Sequence, residues 1–154
     1  MQSRPDIVRE TGATHLIIAG DPMSVRAGLI GLAATVPLCD LSADDRGTAE
    51  LVLGEVLNNI VEHAYPSVPG PIDLWLARTG AGLACKVADR GLAMRDGRAP
   101  VGALPAGING ALEDLPEGGF GWYLIRTLTE DLQYERVQSQ NHLSFTIPSG
   151  RTPL

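Results

Sequence analysis

The chain has 154 residues, enough for one domain with a core large enough to fold alone, so we expect a single domain over residues 1–154. Its hydrophobic share of 44% is ordinary for a soluble globular protein, and no apolar run approaches the length of a membrane-spanning helix. The net charge of −6 argues against a general nucleic-acid-binding surface, and residues 1–12 are too mixed and charged for a secretory signal. Two cysteines without disulfide spacing fit a reducing compartment, and we expect a cytoplasmic protein.

The first elements are a strand followed by two helices. The apolar run 15–19 predicts a strand, and apolar residues at helical spacing predict a helix over 24–36 that Pro37 ends. Ser42 offers an N-cap for the next helix. This second helix should run to about Tyr65, where a proline-rich segment stops it.

The remaining elements are two hairpins, a long loop and a third helix. Four strands are predicted, over 72–77, 83–88, 132–137 and 143–147. The glycine- and proline-rich stretch 91–118 shows no sustained period and is expected to be a lid or mobile loop, and 120–128 is helical in pattern. Helices grouped against one face of such strands predict an α/β (α+β) two-layer sandwich, with a mostly antiparallel mixed sheet and about three helices.

Two cysteines, Cys39 and Cys85, lie far apart, and each sits among apolar residues. We expect both to be small buried thiols, since their spacing supports neither a zinc site nor a disulfide.

A polar stripe runs along the predicted second helix. Glu55, Asn59 and His63 repeat every four residues and therefore share one side of the helix. The face expected to pack on the sheet carries Leu53, Leu57, Ile60 and Ala64. The amide oxygen of Asn59 suits Mg²⁺, Glu55 could accept a proton from a hydroxyl or water, and His63 could hold the helix end. A solvated stripe with local hydrogen bonds remains the alternative.

Two short glycine-containing segments add to this stripe. Asp89-Arg90-Gly91 follows a predicted strand, where a carboxylate could accept a hydrogen bond from an amine such as that of adenine, although a plain turn has the same composition. Gly118-Gly119-Phe120-Gly121 precedes a helix and could aim backbone N–H groups at an anion. It matches neither a Walker A loop nor a dinucleotide fingerprint, and alone it could be a flexible linker.

Together and in this order, the three segments resemble one family. Residues 55–65 are similar to the N-box of the anti-sigma factor serine kinases, which belong to the histidine-kinase-like (GHKL) ATPase superfamily. Residues 89–91 resemble the first glycine box and residues 119–125 the second. The similarity covers roughly residues 14–147, and joint occurrence is more specific than any single box.

The resemblance implies a Bergerat ATP-binding fold that takes Mg-ATP. Glu55 would be the base that activates a serine hydroxyl, Asn59 would carry Mg²⁺, and Asp89 would contact adenine beneath a lid formed by 91–118. The ATP site implied by the resemblance comprises Asn59, His63, Asp89, Gly91, Gly118, Gly119, Phe120 and Gly121.

The resemblance also implies partners. In such kinases a STAS-domain anti-anti-sigma protein accepts the phosphate, and a kinase dimer binds a sigma factor. Arg26, early in the first helix, lies where the family often carries an arginine near the partner surface. No direct nucleic-acid or membrane contact is implied.

The chain departs from the family at two places. Ala93 replaces the usual second glycine of the first glycine box, which is costly if φ must be positive there, and 140–142 replaces a Gly-Thr turn. Ala93 keeps open the alternative of a non-catalytic nucleotide- or partner-binding module. Two further alternatives are a plain ATPase, in which Glu55 activates water, and the catalytic domain of a two-component histidine kinase.

Overall fold

The computed structural model describes residues 13–102 and 120–150. The helical segments are α1 (Pro22–Ala33), a short 3₁₀ turn at Leu38–Asp40, α2 (Ala43–Asn59) with a wider π-helical turn at Ile60–Ala64, a second 3₁₀ turn at Arg95–Gly97, and α3 (Gly121–Leu128). The strands are β1 (Thr14–Ala19), β2 (Pro71–Thr79), β3 (Gly82–Asp89), β4 (Glu130–Val137) and β5 (Gln140–Pro148). The predicted order of elements and the two-layer α/β fold class are confirmed.

The five strands form one sheet in the order β1-β2-β3-β5-β4. Each described pair of neighbours is antiparallel, and two pairs are the predicted hairpins. Alternation places one face of the sheet in the core, as in β2, where Ile72, Leu74 and Leu76 are buried. On the opposite face the ring of Trp75 stacks on His15 and lies beneath the ammonium group of Lys86, and these three side chains are half-buried or exposed.

Local capping signals set the helix starts. The side chain of Ser42 accepts a hydrogen bond from Asp45 N at 3.1 Å, as expected. Asp21 caps α1 in the same way through Ser24 N at 2.8 Å, and Pro22 follows at the first helical position, where proline is tolerated. The first helix therefore begins before the predicted residue 24 and also ends earlier, at Ala33.

The core lies between the sheet and the helices. The predicted packing face of the second helix is confirmed, because Leu53, Leu57, Ile60 and Ala64 are all buried. The predicted burial of Cys85 is also confirmed.

The prediction that both thiols are buried is wrong for Cys39, which is exposed. The turn at Leu38–Asp40 directs Leu38 into the core, and its neighbour Cys39 consequently faces solvent.

Across residues 13–102 and 120–150, the helices are all too short or too polar to cross a membrane.

Candidate active site

The start of α3 lies against the polar side of α2. A Cβ atom placed on Gly121 would lie 2.5 Å from Glu55 Oε2 and 3.5 Å from Asn59 Nδ2. Real Cβ atoms essentially never come within 3.0 Å of another atom, so glycine at this position allows the close approach. Two of the sequence-predicted boxes, separated by about sixty residues in the chain, therefore meet at Glu55, Asn59 and Gly121.

The carboxylate of Glu55 is partly withdrawn from water. Burial disfavours its charged form and raises the pKa of Glu55 above its ordinary value. A carboxylate with a raised pKa is a better proton acceptor than a fully solvated one, which suits it to general-base chemistry.

The amide nitrogen of Asn59 has no hydrogen-bond partner within the part of the chain that the structure describes. This Nδ2 atom is also shielded from solvent. A buried polar atom left unpaired is costly, and a half-turn of the amide would present the oxygen in its place. Within the described ranges no three His, Cys, Asp or Glu side chains cluster as metal ligands. A metal ion at Asn59 would therefore be coordinated by the amide oxygen and, for its remaining positions, by oxygens of a bound small molecule or of water, as is usual for Mg²⁺.

A cavity of about 620 Å³ opens beside Asn59. Its lining includes apolar side chains such as Ile60 and Leu143 together with the acidic residue Asp89. Predominantly apolar walls with a few polar groups are typical of small-molecule sites. His63 also lines this cavity, but its side chain is 69% exposed, so it lies at the cavity mouth.

Asp89 is a buried acidic residue that lines the cavity. It is the last residue of β3 and only 5% exposed. Its Oδ1 accepts hydrogen bonds from Gly91 N at 2.9 Å and from Asn141 Nδ2 at 2.8 Å. Burial raises the pKa of Asp89, and these donors together with the nearby Arg136 oppose that rise.

Asn141 is a site residue outside the three predicted boxes, in the segment 140–142 that departs from the family pattern. The structure extends the last strand back to Gln140 and pairs Asn141 directly with Asp89 across the sheet. The inward alternation of Leu143 and Phe145 also includes Asn141 if the strand is extended by one step. This alternation could have identified Asn141 as inward-facing. Because asparagine is polar, however, the apolar pattern begins only at Leu143.

The first part of the predicted lid, residues 91–102, is held down at several points. Leu92 N donates to Ala64 O at 2.9 Å, and Arg126 donates to the carbonyl oxygens of Ala99 and Pro100. Gly91 packs so closely on Ala64 that a Cβ would collide with its carbonyl oxygen. In this structure the lack of a side chain at Gly91 therefore serves contact with the end of the second helix.

Ala93 has an ordinary backbone conformation. The left-handed positions of this loop fall on Asp96 (φ 61°), Gly97 (φ 66°) and Gly102 (φ 69°), and Ala93 is not among the residues with positive φ. The replacement of glycine at Ala93 therefore causes no backbone strain here.

Of the other predicted site residues, Phe120 immediately precedes Gly121, and the remaining ones lie on α1 or outside the described residues. Arg26 is exposed on α1, and the ring of Phe120 stacks on that of Tyr123 just before α3. Gly118, Gly119 and the lid segment 103–118 lie outside the described residues. Their predicted roles remain predictions.

The sequence is similar to one domain family and to several bacterial protein kinases. Residues 18–147 match the family model described as the histidine kinase-like ATPase domain. The serine/threonine-protein kinase BtrW of Bordetella bronchiseptica is 38% identical over 110 residues, which cover 71% of this chain and 75% of that protein. The serine-protein kinases RsbW of Bacillus mycoides (36% over 90 residues) and Bacillus cereus (37% over 92 residues) each align with 58% of this chain. In both cases this chain spans 56% of the relative's length, little more than half.

Proposed function

The chain belongs to the histidine kinase-like ATPase domain family, and on this premise we propose that it is an ATP-dependent protein serine/threonine kinase that acts as an anti-sigma factor. The observation that carries the proposal is the meeting of Glu55 and Asn59 with the amino-terminal end of α3. The names of the similar proteins from Bordetella and Bacillus support the kinase branch of the family.

Each residue of the site has a chemical role in this proposal. The amide oxygen of Asn59 would hold Mg²⁺, which neutralises triphosphate charge when bound. Asp89 accepts a hydrogen bond from the exocyclic amine of adenine through Oδ2, because both hydrogen bonds described above reach Oδ1. The backbone N–H groups at the start of α3 face the phosphates, where the helix dipole favours negative charge.

Glu55 is the proposed general base. It takes the proton of a serine hydroxyl as that oxygen attacks the terminal phosphorus, the bond from this phosphorus to the bridging oxygen breaks, and ADP leaves. Such a reaction depends on positioning and charge neutralisation. The carboxylate is one helical turn from Asn59, which places the base and the metal-binding amide on the same side of α2.

The proposed phosphoacceptor is a cytoplasmic STAS-domain anti-anti-sigma protein. The kinase would act as a homodimer and would bind a sigma factor. Arg26, exposed on α1, is the residue proposed to contact a partner.

A non-catalytic binding module is less well supported by the geometry. Ala93 was the reason to consider it, and the backbone there is free of left-handed strain. Binding of Mg-ATP measured by titration calorimetry, with loss of affinity in Asp89→Asn, is the expected result. No measurable binding of adenine nucleotide to the wild-type chain would refute the proposed function.

The decisive test is phosphate transfer from labelled ATP to STAS-domain proteins of the same organism. Glu55→Gln keeps the shape of the side chain and should reduce the transfer rate by about 10²–10⁴-fold, the usual contribution of a general base. Glu50→Gln changes an exposed carboxylate on the same helix and should leave the rate unchanged. Equal rates in the wild type and Glu55→Gln would remove Glu55 from the mechanism.

A further inference from the structure

The side chain of Asn141 uses its full hydrogen-bonding capacity within the protein. It is 4% exposed, and its Nδ2 donates to Asp89 Oδ1 at 2.8 Å and to Leu92 O at 2.7 Å. Its Oδ1 accepts from Arg136 Nη1 at 2.9 Å and from the hydroxyl of Tyr134. A carboxamide has two N–H donors and two acceptor lone pairs, so all four are engaged and none remains for a ligand.

The direction of every hydrogen bond in this network is fixed. Met94 N can only donate, and it donates to the hydroxyl oxygen of Tyr134 at 3.1 Å. The Tyr134 hydroxyl therefore uses its own proton to donate to Asn141 Oδ1. Arg136, which also can only donate, donates to the same oxygen. The amide nitrogen of Asn141 must therefore point towards Asp89.

This orientation has two consequences for the cavity. Asp89 Oδ1 faces two N–H donors, from Asn141 and Gly91, so it acts as an acceptor and the carboxylate is held in one orientation. Arg136 and Tyr134 also bind the backbone of the following loop, at Gly91 O (2.7 Å) and at Met94 N. One network thus fixes both the carboxylate and the loop beside it.

We propose that Asn141 is a positioning residue for base selection, which holds Asp89 as an acceptor so that the cavity prefers purine nucleotides carrying a 6-amino group. The proposal rests on the proposed binding of ATP. Asn141 lines the cavity but acts through Asp89, because its own donors and acceptors are all engaged within the protein. Its strand register places it opposite Asp89, which is why an asparagine amide can bridge from the last strand to the loop.

The proposal is tested by measuring dissociation constants for ATP and for purine riboside triphosphate, which lacks the 6-amino group. The wild type should bind ATP about tenfold more tightly than the analogue, the usual scale for one hydrogen bond to a charged group. In Asn141→Leu this ratio should fall towards one, mainly through weaker binding of ATP. In Tyr134→Phe, which removes only a hydroxyl, the ratio should fall part of the way.

Tyr65→Phe is the matched control. The Tyr65 hydroxyl also anchors this region, accepting from Arg90 N at 2.7 Å and donating to Pro71 O at 2.7 Å, but it makes no hydrogen bond to Asp89 or Asn141. A general loosening of the loop would weaken binding of both nucleotides alike and leave their ratio unchanged, as we expect for Tyr65→Phe.

The outcomes separate this proposal from the function on which it rests. If the wild type binds neither nucleotide, the proposed function fails and the role of Asn141 fails with it. If the wild type prefers ATP and Asn141→Leu keeps the full preference, the positioning role alone is overturned. If Asn141→Leu does not fold, Tyr134→Phe decides the matter, because an unchanged ratio in that variant overturns the proposal.

Discussion

Replacing Gly121 by alanine should separate folding from catalysis. The Cβ atom would lie 2.5 Å from Glu55 Oε2, whereas ordinary contact begins at 3.4 Å. The carboxylate at the end of a flexible side chain must therefore move by about 0.9 Å, the difference between those two distances, and a displacement near 1 Å can cost roughly 10²-fold in rate.

The same substitution should not damage the fold. Gly121 is the first residue of α3 and does not have a positive φ, so alanine fits the backbone. Alanine in a helix is favoured over glycine by about 0.5–1 kcal/mol, which offsets part of the cost of moving Glu55. We therefore expect a melting temperature within a few degrees of the wild type.

The assay is transfer of labelled phosphate to a STAS-domain substrate, with melting temperature measured on the same samples. Gly47→Ala is the control, since it lies in α2 with open space around its Cβ position and should leave the transfer rate unchanged. Full transfer activity in Gly121→Ala would refute the reasoning, because it would mean that the position of the Glu55 carboxylate is not critical.

Three further predictions concern protonation, packing and thiol reactivity. Burial raises the pKa of Glu55, so the charged carboxylate destabilises the folded state at pH 7. Glu55→Gln should therefore have a higher melting temperature than the wild type at pH 7. This gain should vanish in acid, where the carboxyl is protonated in both the folded and the unfolded protein. A lower melting temperature at pH 7 would contradict this. Gly91→Ala should destabilise the fold by about 1–3 kcal/mol in urea unfolding, because its Cβ meets the carbonyl at the end of the second helix, whereas Gly80→Ala, with open space, should not. Mass spectrometry after brief alkylation of the native protein should find one label, on exposed Cys39, since Cys85 is buried and its thiol pKa is raised; rapid labelling of Cys85 would oppose the structure.

Most of the fold could be predicted because its signals are local. Apolar periodicity marked the strands and helices, and prolines and glycines marked their ends. The errors occurred where a boundary or an orientation depended on packing. The apolar neighbours of Cys39 predict burial, but in this three-residue turn Leu38 is the residue that points into the core and Cys39 faces solvent.

The candidate site was only partly predictable. Glu55 and Asn59 could be placed on one side of a helix from their spacing, and the sequence also suggested that a helix begins near Gly121. The close approach of Gly121 to Glu55 and Asn59 depends on how α3 packs on α2, and the spacing of residues in the sequence does not give the distance between two helices.

By itself the sequence determined which residues carry polar chemistry, in which elements they lie, and which family pattern they follow. Only the tertiary structure decided what those residues face. Asp89 and Asn141 are 52 positions apart, yet a single step of strand register decides whether they meet or point to opposite faces of the sheet. That register belongs to the pairing of β3 with β5, two strands that are not consecutive in the chain, so the partner that holds the Asp89 carboxylate is found only in the assembled sheet.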